Sequence, residues 1–143
     1  MKILFDTNII LDVLLLRKPF VKDALALLAF VEKGLLKGFI SSTAVTTIYY
    51  LARKKYSAAK VRNLLQDLFL LFDVVESSKD DFQQAFDWGF KDFEDAVVYQ
   101  NARRADCQGI VMRNLKDFSA AKLPVYSPEH LVKKLYLTYQ KED

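Results

Sequence analysis

Short runs of aliphatic and aromatic residues alternate along the chain with longer stretches whose apolar residues return every three or four positions. The short runs are 2–5, 38–41, 72–75, 109–112 and 125–126, and they read as strands. Between them, helices are expected over 8–16 and along the stripe Phe20, Ala24, Leu27, Leu28, Val31 and Leu35, where Gly34 and Gly38 bracket the stop. Further helices are expected over 43–55, along Val61, Leu64, Leu65, Leu68 and Leu71, and along Phe82, Ala85 and Phe86 behind a Ser77-Ser78 cap. The last two cover 94–105 and a segment opened by Ser127-Pro128 that continues through Leu131, Leu135 and Leu137. Strands that are apolar nearly throughout need cover on both faces, so the alternation predicts an α/β fold with a parallel sheet between two helical layers.

The length of 143 residues matches one domain, and 52% hydrophobic residues can fill one core. There is no internal repeat, no low-complexity tract and no linker, so the expectation is a single domain over 1–143. No run approaches the ~18 apolar residues of a membrane span. The first apolar run is broken by Asp6 and Asn8, unlike a signal peptide, and a cytoplasmic location is expected. The lone Cys107 rules out an intrachain disulfide and a cysteine-based zinc site. A net charge of +3 is compatible with a nucleic-acid partner without requiring one.

Acids stand at three places beside a strand end or a helix start. Asp6 closes the first strand and is followed by Thr7-Asn8. In an open parallel sheet ligands bind beyond the carboxyl ends of the strands, so Asp6 is placed either to bind there or simply to cap the next helix. Asp92-Phe93-Glu94-Asp95 precedes the apolar helical residues 96–98, where acids also suit the helix dipole. Asn114-Leu115-Lys116-Asp117-Phe118 follows the strand ending at Met112 and would serve equally as a turn. Acids gathered at one sheet edge repel one another, and a hard divalent cation relieves that repulsion.

Asp6-Thr7-Asn8, the strand end Ile40-Ser41, Phe93-Glu94-Asp95-Ala96 and Arg113-Asn114-Leu115-Lys116-Asp117-Phe118 resemble the ordered motifs of PIN-domain ribonucleases. The bacterial branch of that family includes VapC-type toxins of toxin–antitoxin pairs. The resemblance spans nearly the whole chain. It implies a three-layer α/β/α sandwich with a central parallel sheet of about five strands, and Mg²⁺- or Mn²⁺-dependent cleavage of RNA. Asp6, Asp95 and Asp117 match the family's acidic positions, and Glu94 is a fourth candidate ligand. The family commonly has a glutamate about six residues after the strand-end serine, where this chain has Thr47. Its usual threonine is Met112 here, and an early acid of the last motif is Asn114.

On this reading Asp6, Asp95 and Asp117 are the catalytic acids, and together with Glu94 they hold the metal, which activates water for in-line attack on phosphorus. Asn8, Ser41, Thr47, Arg113, Asn114 and Lys116 are candidates for substrate contact. His130 is expected on the surface. Arg53-Lys54-Lys55 and Lys60-Arg62, interleaved with Tyr49, Tyr50 and Tyr56, suit RNA or a plain solvated helix face. A small antitoxin or a second copy of the chain would find apolar residues at Leu14-Leu15-Leu16 and Phe20, which core packing explains equally well. A dehalogenase-type phosphatase would need an acid at Asn8. A receiver domain would need an acid where the second strand ends in Ser41. The stronger rival is a PIN-like module that binds RNA or protein without cutting.

Overall fold

A computed structural model describes residues 1–115, 118 and 121–140. Five strands form one all-parallel sheet: β1 (Lys2–Phe5), β2 (Lys37–Ser41), β3 (Phe72–Val75), β4 (Gly109–Val111) and β5 (Val125–Tyr126), in the order β3-β2-β1-β4-β5. The helices are α1 (Thr7–Leu14), α2 (Val21–Glu32), α3 (Ser42–Arg53), α4 (Ala58–Leu71), α5 (Lys79–Asp87), α6 (Phe93–Arg104) and α7 (Pro128–Gln140). The architecture is the α/β/α sandwich expected from the alternation. Predicted and observed element boundaries differ by up to three residues: the second apolar stripe runs to Leu35 whereas α2 stops at Glu32, and α7 continues past Leu137 to Gln140. Among the described residues no helix is long and apolar enough to cross a membrane.

The period of two along each strand sorts side chains between the faces. Ile3 and Phe5 of β1, Ile40 of β2 and Val111 of β4 join one core with residues of α1, α2, α3, α4 and α7. Leu4, Phe39 and Ile110 point the other way, into a core with Val98, Tyr99 and Ala102 of α6. Apolar residues are therefore required in the central strands, whose two faces are both covered.

Gly38 has a different role from the one its sequence position suggests. The α2 helix stops at Glu32, and Gly34 alone of the two glycines takes the left-handed backbone, at φ 74°. Gly38 lies inside β2 opposite Phe72 of β3, and a Cβ there would come within 2.5 Å of the Phe72 ring. That ring sits edge-on to Phe5 at a centroid distance of 5.0 Å. The glycine therefore admits an aromatic side chain between neighbouring strands.

The α5–α6 pair is locked by a buried acid. Asp81 completes a capping box with Ser78, accepting from the Ser78 backbone N at 2.8 Å and hydroxyl at 3.1 Å. It also accepts from Gln100 Nε2 at 2.9 Å and pairs with Arg104, both on α6. Gln100 Oε1 in turn takes the Trp88 indole N–H at 2.9 Å. Burial alone would raise the Asp81 pKa, but the hydrogen bonds from Ser78, Gln100 and Arg104 outweigh it and hold the carboxyl at about 2.

Two predictions follow from these contacts. Gly38→Ala should destabilise the fold by about 1–3 kcal/mol through overpacking against Phe72, measured by urea unfolding; an unchanged midpoint would contradict the close approach. Because the folded pKa of Asp81 lies below the ordinary 3.8, its contribution is fully present above about pH 4 and is lost as pH falls toward 2. The gap in unfolding free energy between wild type and Asp81→Asn should therefore narrow by roughly 2 kcal/mol over that interval. A pH-independent gap would show that the acid is not held in its ionised form.

Candidate active site

The strand order reverses direction at β1, whose neighbours are β2 on one side and β4 on the other. A crevice opens at such a switch point, beyond the carboxyl ends of the strands. Here it is a cleft of about 460 Å³ lined by Asp6 after β1, Thr7, Asn8 and Leu11 of α1, Thr47 and Leu51 of α3, Asp92, Glu94 and Asp95 at the start of α6, and Met112, Arg113 and Asn114 after β4. Residues distant in sequence meet because parallel strands all end at the same edge.

Asp6 serves as a helix cap and also faces the cleft. It is the N-cap of α1, and its Oδ2 accepts the backbone N–H of Asn8 at 3.2 Å. Burial pushes its carboxyl above the ordinary carboxylate range. Hydrogen bonds from the Asn8 and Thr7 backbone, the charge of Arg113 and the Asn8 side chain offset that only in part. Capping and exposure to the cleft are compatible, since the two oxygens of an ionised carboxylate offer about four acceptor sites.

The second acidic group is set by α6. Asp92 is the N-cap and accepts the Asp95 backbone N–H at 3.0 Å. This fixes where the helix begins and so carries Glu94 and Asp95 to the cleft. Asp92 itself lines the cleft. The sequence placed it in the acidic cluster, but helix-start chemistry explained it, and nothing local marked it as cleft-facing.

Of the candidate substrate contacts, Asn8, Thr47, Arg113 and Asn114 line the cleft. Ser41 does not: it is buried at the end of β2, and its hydroxyl finds no hydrogen-bond partner among the described residues. Asp117 and Lys116 lie outside the described residues. Among the described residues, no three His, Cys, Asp or Glu side chains stand close enough together to hold a metal ion by themselves. His130 is exposed in the first turn of α7, against Tyr126. Leu14 and Leu15 pack on the core, whereas Leu16 and Phe20 remain exposed.

Asp12, one turn beyond Asn8, is turned away from the cleft and fully buried. Arg113 Nε lies 3.2 Å from its Oδ2 and Arg17 Nη1 lies 3.8 Å from its Oδ1. These are ion pairs without the alignment of hydrogen bonds, and neither carboxylate oxygen gains such a bond among the described residues. Burial raises the Asp12 pKa, the charges of Arg113 and Arg17 oppose that, and the nearby charge of Asp6 adds to it.

Comparison with known proteins places this geometry. The Aquifex aeolicus (strain VF5) protein Ribonuclease VapC1 is 23% identical over 133 residues, covering 90% of this chain and 91% of that protein. The Rickettsia felis VapBC2 structure, bound to a promoter DNA fragment, superposes with a TM-score of 0.66 at 15% identity, covering 89% of this chain and 98% of the other. The Mycobacterium tuberculosis toxin VapC20, described as cleaving the sarcin–ricin loop, gives a TM-score of 0.66 at 16% identity, covering 85% and 96%. At these identities the structural matches speak to the fold. A PIN domain family model matches residues 2–116, most of the chain, and the chain belongs to the PIN domain family.

Proposed function

We propose that the protein is a metal-dependent endoribonuclease, the toxin of a toxin–antitoxin pair. The observation that carries the reading is the meeting of Asp6 with Glu94 and Asp95 in one cleft at the topological switch point of a PIN domain. The similarity to a VapC ribonuclease and to toxin–antitoxin structures supports both the substrate class and an antitoxin partner.

The donor set suits a hard divalent cation such as Mg²⁺ or Mn²⁺. Every acid on the cleft offers oxygen, the preferred ligand of such ions. The raised pKa of Asp6 reflects burial, which its hydrogen bonds and the charge of Arg113 offset only in part. Asp6, Glu94, Asp95 and Asp117 would hold the ion, with Asp117 completing a set that the other acids do not form alone. When bound, such an ion lowers the pKa of an attacking water and stabilises charge at the phosphate.

The chain's own residues supply orientation. The Thr7 and Asn8 backbone N–H groups fix the Asp6 carboxylate, and Asp92 fixes the start of α6 and with it Glu94 and Asp95. Thr47 and Asn114 present neutral polar groups on the cleft wall, which can contact ribose or phosphate without repelling it. The carboxylates are acceptors only, so a polyanionic strand enters this cleft only when cations offset them.

Asp6→Asn keeps an N-cap, since Asn caps as well as Asp, and should leave thermal stability nearly unchanged. RNA cleavage in Mg²⁺ or Mn²⁺ should fall at least 100-fold, to the level the wild type shows in EDTA. The rise in melting temperature that Mn²⁺ gives the wild type should also disappear in the variant. Undiminished cleavage by Asp6→Asn would refute the assignment. A wild type that binds and protects RNA without cutting it would instead establish a binding module.

A further inference from the structure

The ribonuclease reading leaves one feature of the cleft unused. Arg113 lines the carboxylate cleft and also a second, adjoining cleft of about 350 Å³, formed by Pro19, Phe20, Asp23, Ser127, Pro128 and Glu129. Among the described residues it alone lines both. Its guanidinium carbon sits 4.0 Å from the Phe20 ring centroid, and its Nε faces buried Asp12 at 3.2 Å. The Nε is itself buried, yet 28% of the side chain is exposed. A guanidinium has five N–H donors, and the ion pair with Asp12 is made at Nε.

A buried ion pair is poor evidence of stability, since apolar residues of similar size usually serve the core as well. What the pair does achieve is placement. The charge of Asp12 and the face of Phe20 restrict the arginine from two sides, at the exit of β4 and beside the acids that repel phosphate. Arginine suits phosphate because its planar fork donates two parallel hydrogen bonds. Asp23 and Glu129 in the second cleft are acidic, and Glu129 already pairs with Lys133 at 3.0 Å. A phosphate is therefore favoured at the junction, over Arg113, and the uncharged part of a nucleotide in the second cleft, against Pro19, Phe20 and Pro128.

We propose that Asp12 is a positioning residue that holds Arg113 at the junction of the two clefts, where it receives the RNA backbone phosphate next to the scissile one, the adjoining nucleoside occupying the second cleft. This rests on the ribonuclease reading and extends it to how the strand is threaded.

The test combines kinetics with metal-free binding. With a fluorescent single-stranded RNA 12-mer in EDTA, the wild type should show log K falling with log [NaCl]. Arg113→Gln should flatten that slope by about 0.7, the value of one phosphate contact on a single strand. In Mn²⁺, its KM should rise about tenfold, with the effect falling on KM more than on kcat. Arg113→Lys should recover part of the affinity, since it keeps the charge but not the fork. Asp12→Asn should reproduce the KM effect although it removes no group that touches RNA. The double variant Asp12→Asn/Arg113→Gln should be no worse than Arg113→Gln, because both act through the same guanidinium. The double variant also removes both charges together, which keeps the test available where a single variant leaves a buried ion unpaired and does not fold. If the wild type cleaves and Arg113→Gln keeps its salt slope and KM, this proposal falls alone. The same holds if Asp12→Asn leaves KM unchanged, or if the double variant is additive. If the wild type neither binds nor cleaves RNA, the ribonuclease reading falls first.

Discussion

β1 is hydrogen-bonded on both edges, to β2 and to β4, and Ile3, Leu4 and Phe5 send alternate side chains into the two cores. This arrangement buries Ile3, Leu4 and Phe5 together. The same pairing places the next residue, Asp6, at the point where the strand order reverses. Its backbone N–H donates to Val111 O of β4 at 3.0 Å, which extends the ladder by one residue beyond the strand. The acid is thus held by main-chain bonds on one side and by its own helix on the other. Its position follows from burial of the sheet, so a substitution that keeps the cap disturbs chemistry before stability.

Convergence of acids creates an electrostatic problem that the fold handles by placing cations at different depths. Burial raises the Asp6 pKa, and among the described residues Arg113 supplies the positive charge that opposes it. Arg17 stands further out, between Asp12 and Asn8 Oδ1, which it reaches at 3.4 Å. The cis Lys18–Pro19 turn and Phe20 follow directly, so the segment between α1 and α2 brings both a charge and an aromatic face to the site. The loop that the sequence marks only by a proline is therefore part of the wall between the two clefts.

Strands and helices were legible because each depends on a local period. The acids of the cleft were legible as far as they sit at strand ends or first turns, as Asp6, Glu94 and Asp95 do. Long-range matters were hidden. The role of Gly38 depends on Phe72, which lies 34 residues away and meets it only across the β2–β3 register. Asp12 lies one turn past Asn8 on α1, yet it is buried against Arg113, which arrives from β4, and no local period in the sequence marks that pairing. Ser41 ends β2 much as Asp6 follows β1, but its side chain is buried there and does not line the cleft. Asp92 shows the converse: suitability for the helix dipole was a sufficient local explanation, and the structure makes the residue both an N-cap and part of the cleft wall.

Two buried carboxylates in the same fold show how satisfaction separates structure from function. Asp81 takes hydrogen bonds from a backbone amide, a hydroxyl, an amide side chain and a guanidinium, and its pKa falls to about 2. Such a group is fully compensated, and its role is to clamp α5 against α6. Asp12 is buried as deeply but has ion pairs without aligned hydrogen bonds, and its pKa is raised. A core acid that costs desolvation and is not repaid by hydrogen bonds is poorly explained as a stabilising element. The difference between the two lies in what their arginines do next. Arg104 ends at Asp81 and Ser78, on the outer surface of the helix pair. Arg113 continues past Asp12 into the clefts, so the unrecovered cost of burying Asp12 is accounted for by where it leaves the guanidinium.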